Sequence, residues 1–172
     1  MKKTVIFFCI FAIVSLEQTL AASKIKVVDG DSLEIGSRRI RLLGIDAPEY
    51  MQKCYDKEGL AYDCGLSAKD FLQGLVDKAQ SEKHKIKCVP QDVDRYKREL
   101  CVCYAGDVNL NLQMVKSGWA VSYKSDVYNK VQRRAKERGV GIWQGKFMRP
   151  EFYRALARER EKEQQKEKNI VK

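Results

Sequence analysis

Residues 24–46 read KIKVVDGDSLEIGSRRIRLLGID, and this stretch decides the fold. Apolar and polar residues alternate from Lys24 to Val28 and from Ser32 to Ile35. A Gly36-Ser37 pair then supplies the short turn that closes a hairpin, and Arg38 to Ile45 extends again. Three consecutive antiparallel strands are expected. Downstream, Ala68, Phe71, Leu72, Leu75, Val76 and Ala79 recur at the spacing of one helical face, which predicts a helix over 67–80. His84 to Val89 and Glu99 to Tyr104 read as a fourth and a fifth strand around the charged loop 91–98. A short helix over 110–116 stops at Gly118, and another over 126–138 has Ser125 as its amino cap and Gly139 beyond its end. Between Glu159 and Lys168 nearly every residue is charged, with opposite charges three apart, the pattern of a solvated helical extension. Short strands with interspersed helices in a chain of 172 residues define an α+β domain: a five-stranded barrel of the oligonucleotide-binding (OB-fold) type with about three packed helices.

The surface of such a domain is set by 33 Lys and Arg against 23 Asp and Glu, a net charge of +10 that attracts polyanions. A single histidine, His84, excludes chemistry that needs a histidine pair or a histidine-rich zinc centre. At the amino terminus Lys2 and Lys3 precede the apolar run Val5 to Leu16, and the small residues Ala21 and Ala22 follow. This is the layout of a cleaved secretory signal peptide, expected over 1–22. The run falls short of the ~20 apolar residues that span a bilayer. The expectation is a secreted or periplasmic protein, a monomer without stable membrane association after cleavage.

Beyond the leader stand Cys54, Cys64, Cys88, Cys101 and Cys103, an odd number for a compartment that permits disulfides. Cys54 and Cys64 flank a short polar loop, and Cys88 and Cys103 lie on two strands that can be neighbours; these two pairings are expected. Cys101 shares a face with Cys103, so Cys88 has either as a possible partner.

The residues that suggest chemistry fall in three clusters. Asp29 and Asp31 flank Gly30 and lie on the same side of an extended chain, and Gly30 permits a bulge or a close approach by another segment. Asp46, Ala47, Pro48 and Glu49 follow an apolar strand, and Pro48 fixes an extended turn there. Oxygen ligands of this kind suit a hard cation, calcium in preference to magnesium. Arg41 sits inside the otherwise apolar run Ile40 to Ile45, where an unpaired guanidinium costs several kcal/mol, so it needs an anion. The loop Asp94-Arg95-Tyr96-Lys97-Arg98 adds a second arginine immediately before a strand, with an aromatic ring and two further cations. A phosphate satisfies both arginines through forked hydrogen bonds.

Taken together, Val28-Asp29-Gly30-Asp31-Ser32, Arg41 to Glu49 and Asp94 to Arg98 resemble the three signatures of staphylococcal nuclease (thermonuclease) homologues. The likeness runs from Lys24 to Gly145 through Asn109, Gly118-Trp119-Ala120 and Gly141-Ile142-Trp143, and the extra cysteines resemble an exported bacterial subgroup. It implies a calcium-dependent nuclease domain over 23–148, cutting DNA and RNA with little sequence preference, followed by a charged tail over 149–172. By position, Asp31, Asp46 and the Ala47 carbonyl correspond to the metal ligands, with Asp29 close behind. Arg41, Glu49 and Arg98 correspond to the catalytic set, with Glu49 on the attacking water and the arginines on the phosphate. Tyr96, Arg95 and Tyr123 fall where the nucleotide is lined. Lys97 stands where relatives carry glycine; if that turn needs positive φ, the lysine costs ~1 kcal/mol. The alternative function is a binding module that keeps the barrel and the basic groove without turnover.

Overall fold

The first three strands form as the alternation requires. They are β1 (Ile25–Asp29), β2 (Ser32–Ile35) and β3 (Arg38–Leu42), joined as two antiparallel pairs. The computed structural model describes residues 24–170, so the signal peptide expected over 1–22 lies outside the described residues. The expected third strand, 38–45, divides at Gly44, whose φ of +78° an extended strand does not take. After the break, β4 (Ile45–Asp46) leaves the main sheet and pairs with β10 (Val121–Ser122). The break turns Asp46 and the residues after it across the end of the sheet.

The polar loop after Glu49 is more ordered than its sequence suggests. It holds a small hairpin, β5 (Cys54–Tyr55) with β6 (Ala61–Tyr62), and a Cys54–Cys64 disulfide closes the hairpin at its base. Helix α1 (Cys64–Ser81) buries Ala68, Leu72, Val76 and Ala79, the face predicted from their spacing. Strand β7 (Ile86–Val93) then pairs antiparallel with β8 (Glu99–Ala105), and β9 (Val108–Asn109) pairs with β8. Cys88 and Cys103 stand opposite each other and form the second disulfide, while Cys101 is free and buried.

One pairing closes the architecture. β3 lies parallel to β8, giving the order β1-β2-β3-β8-β7 in a curled half-barrel. This is the OB-fold arrangement of five principal strands, with the short pieces filling its ends. Leu33, Ile40 and Leu42 from the sheet meet Leu72 and Val76 of α1 in the core. Two further helices, α2 (Leu110–Lys116) and α3 (Asn129–Glu137), follow. The expected Ser125 cap is replaced: α3 starts three residues later than the sequence suggests, and Ser125 instead accepts from the Val127 N–H in the preceding turn. Asn109 caps α2 by accepting from the Leu112 N–H at 2.9 Å. The last helix, α4 (Pro150–Ile170), begins well before the charged run, and proline suits its first turn. None of the described helices is long and apolar enough to cross a membrane.

Closure of the ten-residue separation between Cys54 and Cys64 restricts the unfolded chain, which predicts a measurable contribution from this bridge. Replacing both cysteines by serine is expected to lower the unfolding free energy by about 2 to 3 kcal/mol in urea titrations.

Candidate active site

Gly30 draws the first acid pair and the second together. A Cβ built on it falls 2.7 Å from the Ala47 Cβ and 2.8 Å from the Ala68 Cβ, so only glycine lets the β1–β2 turn approach both the post-β4 segment and α1. The close approach foreseen from the sequence is realised, and the β1–β2 pairing also shifts register between Val27 and Asp29. It puts Asp31 beside Asp46 and Ala47: the Asp31 Oδ2 accepts from the Ala47 N–H at 3.0 Å. The Asp29 carboxylate caps the same turn by accepting from the Asp31 N–H at 3.1 Å.

The anion required by Arg41 is a pair of carboxylates. Its two terminal nitrogens donate to the Oδ1 of Asp31 and the Oδ1 of Asp46, each at 2.6 Å. Asp46 is fully buried and Asp31 is 3% exposed, so neither carboxylate is left to water and the two share one guanidinium. Burial is the main force on Asp31, and the neighbouring Asp29 charge adds to it; against the opposing pull of Arg41 they raise its pKa to about 6. Arg41 is held above the usual arginine range: burial works against its charge, but the carboxylates of Asp31 and Asp46 prevail.

Glu49 sits one turn further on and is held by its backbone. The buried Gln52 side chain accepts from the Glu49 N–H at 3.2 Å and donates to the Met148 carbonyl at 2.7 Å, while the Gln52 N–H returns to the Glu49 carbonyl at 2.7 Å. Gln52 was not legible as a site residue, because nothing in its local pattern announces a fully buried amide. A second such residue is Asn111. It donates to the Leu43 and Cys101 carbonyls and accepts from the Cys103 N–H, binding the end of β3 to β8.

The third motif arrives on the β7–β8 connection. Asp94 organises it, accepting from the backbone N–H groups of Tyr96 and Arg98 and from the Arg98 Nε at 2.8 Å. Burial pushes Asp94 upward, but the backbone and guanidinium donors of Arg98 outweigh it and hold its pKa below the ordinary carboxylate value. Lys97 does adopt a left-handed conformation, φ 61°, at a cost of about 1 kcal/mol. The Asp94 bonds offset that strain and hold the Arg98 backbone and guanidinium. The Arg95 and Arg98 guanidiniums both lie near the face of the Tyr96 ring, 4.9 and 5.6 Å from its centre.

The register of β3 against β8 sets Arg41 opposite Leu100, two residues beyond Arg98, so the carboxyl end of β3 lies beside the loop that enters β8. Arg41, Glu49 and Arg98 line a single open cleft of about 770 Å³, with Asp29, Arg95, Tyr96 and Tyr123 on its walls. The backbone of Tyr123 is tied to Gly44 through an N–H to carbonyl bond of 2.9 Å. The structure thus gathers the sequence-predicted residues into one region, Asp31 and Asp46 directly behind Arg41. It also adds a residue that the sequence does not announce. Arg154 of α4 reaches in, donating to both Asp46 oxygens at 2.9 Å and to the Glu49 Oε1 at 2.6 Å. It was hidden because the charge-rich tail reads as solvated surface.

The oxygen-only donor set of Asp31 and Asp46 fits a hard divalent cation by its chemistry. As arranged here, no three Asp, Glu, His or Cys side chains among the described residues form a metal cage. The guanidiniums of Arg41 and Arg154 link the acids instead.

Comparison with known proteins identifies the family. The family described as staphylococcal nuclease homologue matches residues 39–145, and the chain belongs to that family. It is 35% identical over 121 residues to a succinoglycan biosynthesis protein ExoI of Rhizobium meliloti, covering 68% of this chain and 61% of that protein. An uncharacterized endonuclease of Haemophilus influenzae is 32% identical, with 69% of this chain and 64% of the relative covered. A micrococcal nuclease of Shigella flexneri is 27% identical, covering 69% of this chain and 71% of that protein. The chain thus spans somewhat under two thirds of the length of the first two relatives.

The raised Asp31 pKa carries a sign that can be measured. Between the unfolded value of 3.8 and about 6 the folded protein binds more protons than the unfolded chain at this carboxyl. The Asp31 contribution is therefore full below 3.8 and is lost as pH rises through about 6. In chelator, wild type is expected to lose stability relative to Asp31→Asn across that window, with a slope of at most about 1.4 kcal/mol per pH unit. Parallel stability profiles of the two proteins in urea would remove this assignment.

Proposed function

We propose that this chain is a calcium-dependent nuclease, hydrolysing phosphodiester bonds of DNA and RNA by water attack with little sequence preference. The observation that carries the reading is the convergence of Arg41, Glu49 and Arg98 on one cleft, with Asp31 and Asp46 behind it. Family membership and relatives called endonuclease and micrococcal nuclease support it.

The cleft offers a phosphate two guanidiniums. Arg41 engages its acids through one contact at each terminal nitrogen, and Arg98 engages Asp94 through Nε and one terminal nitrogen, so both keep N–H groups for phosphate oxygens. As water attacks, negative charge gathers on those oxygens, and preorganised donors lower the barrier by meeting it. Glu49 orients the water and accepts its proton while the phosphorus–oxygen bond to the leaving group breaks. Asp31, Asp46 and the Ala47 carbonyl would hold the cation, with Asp29 supporting the turn. When bound there, calcium supplies further charge neutralisation for the phosphate. Tyr96, Tyr123 and Arg95 offer stacking faces and charge to the nucleotides, and contacts of this kind carry no base code.

The domain is assigned to 23–148, preceded by a signal peptide over 1–22 and followed by the tail over 149–172. Export to the periplasm or the medium is supported by the two disulfides, which persist in oxidising compartments. The protein acts as a monomer without membrane attachment.

Incubation with single-stranded and duplex DNA is expected to shorten both in calcium and to stop on chelation. Glu49→Gln and Arg98→Ala are each expected to lose about 100 to 1,000-fold in rate while circular dichroism stays unchanged. Binding of an oligonucleotide by wild type without any change in its length would favour a non-enzymatic binding module instead.

A further inference from the structure

Asp46 has no oxygen free of a guanidinium. Its Oδ1 accepts from Arg41 and Arg154, and its Oδ2 accepts from Arg154. The same Arg154 nitrogen that reaches the Asp46 Oδ1 also holds the Glu49 Oε1. Arg41 stands within β3, its side chain 14% exposed, and joins Asp31 to Asp46. Arg154 enters from outside, one turn into α4, and beyond Ala157 that helix is exposed along its described length. The root of α4 is fixed by other contacts: the Gln52 amide donates to the Met148 carbonyl at 2.7 Å, and Arg149 donates to the Ser122 carbonyl at 3.4 Å. Release of Arg154 therefore leaves the helix tethered at its base.

We infer that Arg154 is an internal counter-cation that competes with the divalent ion for Asp46 and Glu49, so that loading of the site exchanges this guanidinium for the metal. The inference rests on the proposed calcium site. Its physical basis is that a dication and a guanidinium repel one another and need the same lone pairs. With three guanidinium bonds already on this buried carboxylate, a dication brought to it sits in direct contact with like charge, and moving Arg154 away relieves that repulsion. Arg154 is the donor whose departure does not disturb the sheet. In the absence of metal it balances a carboxylate that would otherwise be buried with less compensation. It also holds Glu49, so the carboxylate assigned to water activation is engaged until the site is loaded.

The test is calorimetric titration of the full chain with calcium chloride alone, without nucleic acid. Arg154→Ala is expected to bind calcium about tenfold more tightly than wild type, or better. Arg154→Met keeps the aliphatic stem on the same surface and is expected to match it, which covers the case in which the alanine variant folds poorly. Arg160→Ala removes an exposed charge from the same helix and is expected to change affinity less than about twofold. Amide exchange over 151–158 is expected to accelerate on adding calcium to wild type and to be insensitive to calcium in Arg154→Met. Equal affinity of wild type and both Arg154 variants overturns the competition. Equal gains in Arg154→Met and Arg160→Ala also overturn it, reducing the effect to net charge. Absence of calcium binding in every protein removes the calcium site itself, and the competition with it.

Discussion

A negative charge buried completely at Asp46 is the constraint around which the rest of the structure is arranged. A carboxylate in that position is tolerable only with positive charge in direct contact, and removing one partner of such a pair costs about 3 to 5 kcal/mol. Arg41 supplies the charge from within an apolar strand, which explains why an arginine interrupts Ile40 to Ile45. Asp31 shares the same guanidinium, and so the β1–β2 turn must come close. Gly30 permits that approach, and Gly44 turns the chain so that Asp46 lies on it. The site and the fold are therefore stabilised by the same few contacts.

Much of this is legible in the sequence because the governing interactions are local. The hairpin of β1 to β3 follows from alternation and a two-residue turn, and α1 follows from the spacing of Ala68, Leu72, Val76 and Ala79. The discomfort of Arg41 shows as a charge in an apolar run, which by itself calls for an anion beside it. Features set by distant contacts do not show. The break at Gly44 follows from pairing of β4 with β10, far along the chain. Gln52 matters through Met148, and Arg154 through Asp46, and no local pattern encodes either partnership. The tail illustrates the point: its charge pattern describes Glu159 to Lys168 well and says nothing about the first turns of α4.

Electrostatic roles divide cleanly between Arg41 and Arg98. Arg41 is committed to the interior and fixes two acids while presenting its remaining donors outward. Arg98 is held by Asp94 on a loop whose strained Lys97 backbone is compensated by hydrogen bonds to the same carboxylate. One guanidinium thus depends on the barrel and the other on a self-contained turn. The cleft combines a rigid wall with a locally braced one, and the aromatic ring of Tyr96 stands on the second.

The parallel pairing of β3 with β8 also joins segments made far apart in time. Arg38 and Glu99, which bracket that junction, are 61 residues apart, and the acids and the second guanidinium meet only after the two strands join. Arg154 meets Asp46 across 108 residues. A nascent polypeptide emerging from the ribosome carries every reactive group of the amino-terminal half long before it has a place in which to use them. Synthesis order thus separates the making of these groups from their assembly.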